Sequence, residues 1–324
     1  MSKCVKMFTM SININLKKLH IKSLKGFSLP GPFRTPGGRG RKPSGRKKGK
    51  SPRKRKYKRL PLRGKLIIMA AALFMVTCVF TVIYTILGNY DGLGLRRSVP
   101  EHLYDMSAFE EKGGRLYYED DNYTSVTGID VSYYQKEIDW DKVKADGVDF
   151  AMIRLGYRGS ESGSIQMDSR FKENIKGARK AGLDIGVYFF SQATSAEEAI
   201  EEARYVVRHI RGKGVHYPVA YDMEPVNGEE DRISGLTVEE RTQIADAFCK
   251  VIERNGYTPM VYGNPHWLEN RVELGYLTGY DTWLAHYTDQ TAYPYSFRIW
   301  QYSDAGKVDG IEGRVDMDIL LVEK

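Results

Sequence analysis

Tyr217-Pro218-Val219-Ala220-Tyr221-Asp222-Met223-Glu224-Pro225 is a short apolar run, β-branched and aromatic, that ends in two carboxylates one residue apart and is closed by proline. Such a run reads as a buried strand emerging at a sheet edge. Side chains on a strand alternate faces, so Asp222 and Glu224 are expected to point the same way, their Cα atoms about 6–7 Å apart. Two carboxyls on one face share a field without sharing a pKa, so one can keep its proton while the other stays ionised. That is the equipment for cleaving a glycosidic bond. The same residues also describe a strand end whose acids cap the next helix or pair with a surface cation, and Asp-x-Glu alone does not separate the two.

Outward from this stretch, strand-like and helix-like segments alternate. Phe150 to Leu155, Ile185 to Phe190, Pro218 to Met223, Met260 to Tyr262, Thr282 to Ala285 and Arg298 to Trp300 have the apolar, β-branched and aromatic character of strands. Between them, Ser195 with Glu198 has capping-box spacing, Ala199, Ala203, Val206 and Ile210 follow at helical intervals, and Gly212 suits the stop. Thr237 with Glu240 repeats the device ahead of Ile244, Phe248, Val251 and Ile252, and Asn255-Gly256 ends it. The alternation predicts an α/β fold with a parallel sheet covered on both faces, as a β/α barrel first and an open doubly wound sheet second. In either, working residues gather at the carboxyl ends of strands.

Charge is distributed unevenly along the 324 residues. Residues 1–65 hold 22 Lys and Arg and no acid, a charge of +22, whereas residues 66–324 carry all 41 acids against 27 bases, a charge of −14. The basic part is rich in Gly, Pro and Ser and is expected to be a disordered tail. Leu66 through Leu87 is an uncharged, mostly apolar run of 22 residues. As a helix it covers about 33 Å, enough for a hydrocarbon core of about 30 Å, and it exceeds the apolar core of a cleaved signal peptide. Arg63 and Lys65 flank it on one side and Asp91 on the other. The positive-inside rule then puts the tail in the cytoplasm and the rest outside, the tail's basic residues meeting anionic headgroups rather than nucleic acid. The expected domains are a cytoplasmic tail (1–65), a membrane span (66–88), an extracellular linker (89–126) and the α/β domain (127–324). Cys4, Cys78 and Cys249 lack the spacing of a disulfide framework or a metal site, and His209, His216, His266 and His286 lack ligand spacing and read as structural or exposed.

Polar residues fall repeatedly at the carboxyl ends of the expected strands. Asp130 lies in Thr127-Gly128-Ile129-Asp130-Val131-Ser132, ahead of the helix-like Trp140 to Ala145, and Arg154 and Tyr188 close other strands. Asp316 and Asp318 sit in Gly313-Arg314-Val315-Asp316-Met317-Asp318-Ile319. Aromatic neighbours such as Tyr133, Tyr134, Tyr188, Trp283, Tyr287 and Tyr302 suit stacking against sugar rings, although each alone also suits a core.

Taken in order, Gly128-Ile129-Asp130-Val131-Ser132, Tyr221-Asp222-Met223-Glu224, Val261-Tyr262-Gly263-Asn264, Trp283-Leu284-Ala285-His286-Tyr287, Trp300-Gln301-Tyr302-Ser303 and Gly310 to Asp316 resemble family 25 glycoside hydrolases, the Chalaropsis-type lysozymes. The resemblance spans about 127–324. It implies an irregular, TIM-like β/α barrel with fewer helices than the full eight-fold form. It also implies cleavage of the β-1,4 bond from N-acetylmuramic acid to N-acetylglucosamine in peptidoglycan glycan strands, without metal or organic cofactor. Position by position, Glu224 matches the proton donor, Asp222 the carboxylate that steadies the charged intermediate, and Asp130 and Asp316 two further acids of the cleft. Asp318 has no counterpart. Arg154, Tyr188, Tyr262, Trp283, Tyr287 and Gln301 are the expected substrate-binding side chains. Retention is expected, with the 2-acetamido group as internal nucleophile. A catalytically idle module that binds wall glycan, and an enzyme acting on another N-acetylated glycan such as chitin, are the competing readings.

Overall fold

A computed structural model describes residues 61–87, 95–226 and 231–324. Of the expected tail (1–65), residues 1–60 lie outside them. Helix α1 (Leu62–Leu87) is followed by a hairpin of β1 (Phe109–Lys112) and β2 (Arg115–Tyr118). Then come β3 (Tyr123–Val131), α2 (Trp140–Ala145), β4 (Phe150–Arg158), β5 (Ile165–Met167), α3 (Phe171–Ala181), β6 (Asp184–Phe190), α4 (Ala196–Ile210) and β7 (Val219–Asp222). The chain continues through α5 (Val238–Arg254), β8 (Pro259–Gly263), α6 (Pro265–Asn270), α7 (Leu274–Leu277), β9 (Asp281–Ala285), β10 (Ile299–Gly306) and β11 (Val315–Glu323).

The sheet order β3-β11-β10-β9-β8-β7-β6-β4-β5 is closed by pairing of β3 with β4, so eight strands form a barrel and β5 hangs on β4 outside it. Seven of the eight run parallel, whereas β11 is antiparallel to both its neighbours. The barrel expectation therefore holds over the open sheet, with one strand departing from the parallel pattern. A parallel neighbour needs a long crossover, but the chain returns from β10 through the short loop 307–314, and a short return gives an antiparallel strand. No helix lies between β9 and β10 among the described residues.

Alternation along the strands fills two cores. One lies between barrel and helices, and the other inside the barrel, where Phe150, Met152, Ala220, Met260, Trp283, Ile299 and Leu320 form an apolar floor. Phe150 fits because its register partner is Gly128: a Cβ there would stand 2.1 Å from the Phe150 ring. Both expected caps form. Thr237 makes a full capping box with Glu240, and Ser195 Oγ accepts the Glu198 N–H, while Glu198 turns its own carboxylate to Thr194 N–H and Arg232.

The expected linker is structured over its second half. Leu116 and Tyr118 of the hairpin are buried, Phe109 and Tyr104 pack edge-on against Trp300 and Phe297, and β3 begins at Tyr123, ahead of the expected boundary at 127. Aromatic burial, invisible to a composition-based linker reading, ties this segment to the barrel. In α1, side chains are described for Gly64 and residues 68–79 only, and among the described residues no helix is long and apolar enough to cross a membrane. The expected span of 66–88 extends beyond those residues on both sides.

Candidate active site

Strand β7 ends at Asp222, in register between Phe190 of β6 and Tyr262 of β8. Its main-chain oxygen accepts the Ser191 N–H at 2.7 Å, while its carboxyl Oδ1 is buried with no hydrogen-bond partner. Glu224 lies two residues past the strand, so the two acids do not share a ladder as the sequence implied. What holds Glu224 is the buried Gln192, whose Nε2 donates to the Glu224 main-chain oxygen at 2.7 Å. Gln192 is itself fixed, its main-chain oxygen accepting Arg232 Nε at 3.0 Å, and Arg232 Nη2 donates to Glu198 at 2.6 Å.

Across the barrel mouth, Asp130 of β3 and Asp316 of β11 are register partners, because β11's reversed direction brings its first residues to the carboxyl ends of the parallel strands. Gln301 Nε2 donates to Asp130 Oδ2 at 2.6 Å, and Tyr262 donates its hydroxyl to Gln301 Oε1 at 2.9 Å. One level deeper, Trp283 Nε1 donates to Asp318 Oδ1 at 2.8 Å, and Asp318 Oδ2 has no partner. Arg154 Nε donates to buried Asp168 at 2.8 Å, leaving its buried Nη2 without a partner.

Burial governs the charge of these acids. Asp222 is pushed well above the ordinary carboxylate value by burial and then by the charge of Glu224, with the Arg154 guanidinium pulling it back. Glu224 is raised by burial. Asp130 is raised well above by burial and by Asp316 and Asp318, against the Gln301 hydrogen bond, and Asp316 is raised to about 6 by burial and Asp304. The mouth thus keeps protons where isolated carboxylates have lost theirs, and the Asp222–Glu224 pair titrates as a unit. The Tyr188 and Tyr262 phenols are held neutral by burial.

The structure brings Asp130, Asp222, Glu224 and Asp316 into one electrostatic neighbourhood with Tyr188, Tyr262 and Tyr287. Two expected substrate-binding side chains do other work. Trp283 is 1 % exposed and supports Tyr188 and Tyr262 edge-on from within the barrel, so it offers no open face to a sugar. Gln301 is a buried link between Tyr262 and Asp130. Asp168, Gln192 and Arg232 were not anticipated, since their roles rest on partners 14 to 40 residues away. Among the described residues no group of His, Cys, Asp and Glu is arranged to hold a metal ion.

The family model for glycosyl hydrolases family 25 matches residues 129–311. Lysozyme M1 of Streptomyces globisporus is 29 % identical over 204 residues, covering 60 % of this chain and 67 % of that protein. Among solved structures, the modular autolysin LytC from Streptococcus pneumoniae, in complex with a synthetic peptidoglycan ligand, superposes with a TM-score of 0.54 at 25 % identity, over 65 % of this chain and 52 % of that one. This chain thus spans about half the length of that autolysin. A family 25 glycosyl hydrolase from Bacillus anthracis shares the fold, with a TM-score of 0.51 at 21 % identity over 65 % of this chain and 94 % of that one.

Proposed function

Since the chain belongs to glycosyl hydrolases family 25 and is a glycoside hydrolase, we propose that it cleaves peptidoglycan at the β-1,4 bond from N-acetylmuramic acid to N-acetylglucosamine, with Glu224 as acid and base and Asp222 as the stabilising carboxylate. The observation that carries this reading is the pair of carboxyls at the mouth end of β7, Asp222 buried and Glu224 half-buried, both raised above the ordinary carboxylate value by burial. Support also comes from the lysozyme relative and from the autolysin solved with a peptidoglycan ligand.

In this mechanism Glu224, its proton retained by burial, protonates the leaving glycosidic oxygen as the C1–O bond breaks. The 2-acetamido oxygen attacks C1 from the opposite face, and the acetamido N–H donates to the Asp222 carboxylate. Burial and the charge of Glu224 raise Asp222, so its ionisation draws on the Arg154 cation and on the positive charge developing in the substrate. Water activated by Glu224 then opens the oxazolinium ring, and the configuration at C1 is retained. Asp130 and Asp316 order the opposite wall. Mass spectrometry of peptidoglycan fragments tests the reading: new reducing ends should be N-acetylmuramic acid. Reducing N-acetylglucosamine ends, or digestion of chitin oligomers alone, would overturn it.

The reading includes a membrane tether, amino terminus inside and barrel outside. The uncharged run from Leu66 to Leu87 supports it, as do the exposed Ile68, Met69, Leu73, Phe74, Met75, Val76 and Val79, which at about 100° per residue surround the helix. Thr77 returns its hydroxyl to the Leu73 and Phe74 carbonyls, so it brings no unsatisfied donor into lipid.

A further inference from the structure

Outside helix α1, the exposed large apolar side chains among the described residues are Leu95, Leu103, Tyr117, Tyr133, Tyr134 and Tyr287. Three of the four tyrosines stand on loops at the barrel mouth. Tyr287, 54 % exposed, adjoins Tyr262 and lies in the field of Asp316, Asp130 and Glu224, on the side of the acids already described. Tyr133 and Tyr134, 41 % and 67 % exposed, stand just past the end of β3. Their ring centroids lie 4.1 Å apart with a 31° tilt.

The turn that carries this pair is built to hold it still. Ser132 Oγ accepts the Tyr134 N–H at 3.3 Å, Ser132 N–H donates to Gln135 Oε1 at 2.8 Å, and Tyr133 N–H donates to the buried Asp168 at 3.1 Å. Lys136 ends the turn at φ 56°, a left-handed conformation uncommon for a side chain of its kind. The Arg154 guanidinium lies 5.0 and 5.5 Å from the two ring centroids and is anchored by the same Asp168. One arginine therefore joins the tyrosine pair to the carboxylate layer, since Arg154 also acts on Asp222. Rings fixed by their backbone lose little freedom on binding, and Tyr134, the more exposed of the two, leaves apolar ring surface in water until something flat covers it.

We propose that Tyr133 and Tyr134 form a stacking platform for a saccharide ring of the same glycan strand, outside the pair of sugars being cleaved. The occupant is a sugar because Arg154, which lies over both rings, is also the register partner of Tyr188 at the acid-bearing end of the barrel, and because the apolar C–H face of a pyranose matches an aromatic face while its hydroxyl rim meets water. The platform makes the enzyme prefer long strands, without taking part in bond cleavage. It rests on the glycan-hydrolase reading, and the test separates the two.

The full chain and its Tyr133→Ala, Tyr134→Ala and Tyr134→Phe variants are assayed on N-acetylglucosamine–N-acetylmuramic acid tetrasaccharide and octasaccharide. Binding of the octasaccharide is measured in parallel in a Glu224→Gln background. The ratio of kcat/KM for octasaccharide over tetrasaccharide is expected to fall roughly tenfold in Tyr134→Ala, as a change in KM, and to be retained by Tyr134→Phe. Octasaccharide affinity should fall by a similar factor in the Glu224→Gln background. Equal losses on both lengths, or no loss on either, overturns the platform. A wild type that binds the octasaccharide through these tyrosines yet cleaves neither oligomer overturns the hydrolase reading and leaves the platform standing.

Discussion

At the residue scale, the behaviour of the site turns on carboxyls whose protons are held by burial. Glu224→Gln keeps the shape and removes the proton, so reducing-sugar release is expected to fall by roughly 10²–10⁴-fold. In the proposed role Glu224 works protonated, and burial raises its value, so wild-type turnover should decline as pH rises through that value. The same burial costs stability. Asp318 has a raised folded value, so its contribution is fully present below the unfolded value near 3.8 and is lost as pH rises through the folded one. Asp318→Asn, which removes a buried ionisable group with one unpartnered oxygen, should therefore leave Tm near wild type at pH 4 and raise it by about 2–4 °C at pH 8. Thermal melts at the two pH values check the sign. The sequence already offered Asp222 and Glu224 by their place at the end of an apolar run, and Asp130 and Asp316 through the family resemblance. It did not offer their protonation, which depends on which neighbours exclude water.

At the element scale, β7 stops at Asp222 and leaves Glu224 to be held from the side. Gln192 follows β6 and is locked by Arg232 and Glu198. Replacing it by Leu keeps the volume but frees the Glu224 main chain. A fall in kcat of roughly tenfold is expected with KM little changed, and the alkaline limb of the pH profile should move to lower pH as Glu224 gains solvent. A purely structural loss would scale the profile without displacing it. Gly128→Ala tests the barrel filling: its Cβ would collide with the Phe150 ring, at a cost of about 1–3 kcal/mol by denaturant unfolding. The six central strands and the two capped helices were legible because apolar runs and cap spacing are local signals. Strand β11 was not, since its alternating Val315-Asp316-Met317-Asp318 resembles a polar loop until β3 and β10 pair with it.

At the scale of the whole molecule, residues 101–126 belong to the folded domain, although their composition suggests a tether. Leu116 and Tyr118 each contribute about 1.5–3 kcal/mol by burial, so deleting residues 101–121 should lower Tm by on the order of 10 °C in calorimetry. Deleting residues 62–87 tests the tether: the full chain should sediment with membranes and the shortened one should not, with wall-digesting activity retained in the soluble fraction.

By itself, the sequence determined the alternation of strand and helix, the acids at strand ends, and the separation of a basic tail and an apolar run from an acidic domain. These follow from the identity and spacing of near neighbours. Only the tertiary structure decided that the last strand turns back to close the barrel, that Trp283 and Gln301 support the site from beneath, and that Gln192 and Asp168 brace it. Those outcomes depend on partners far apart in the chain, and the burial they create sets the charge of every acid at the mouth.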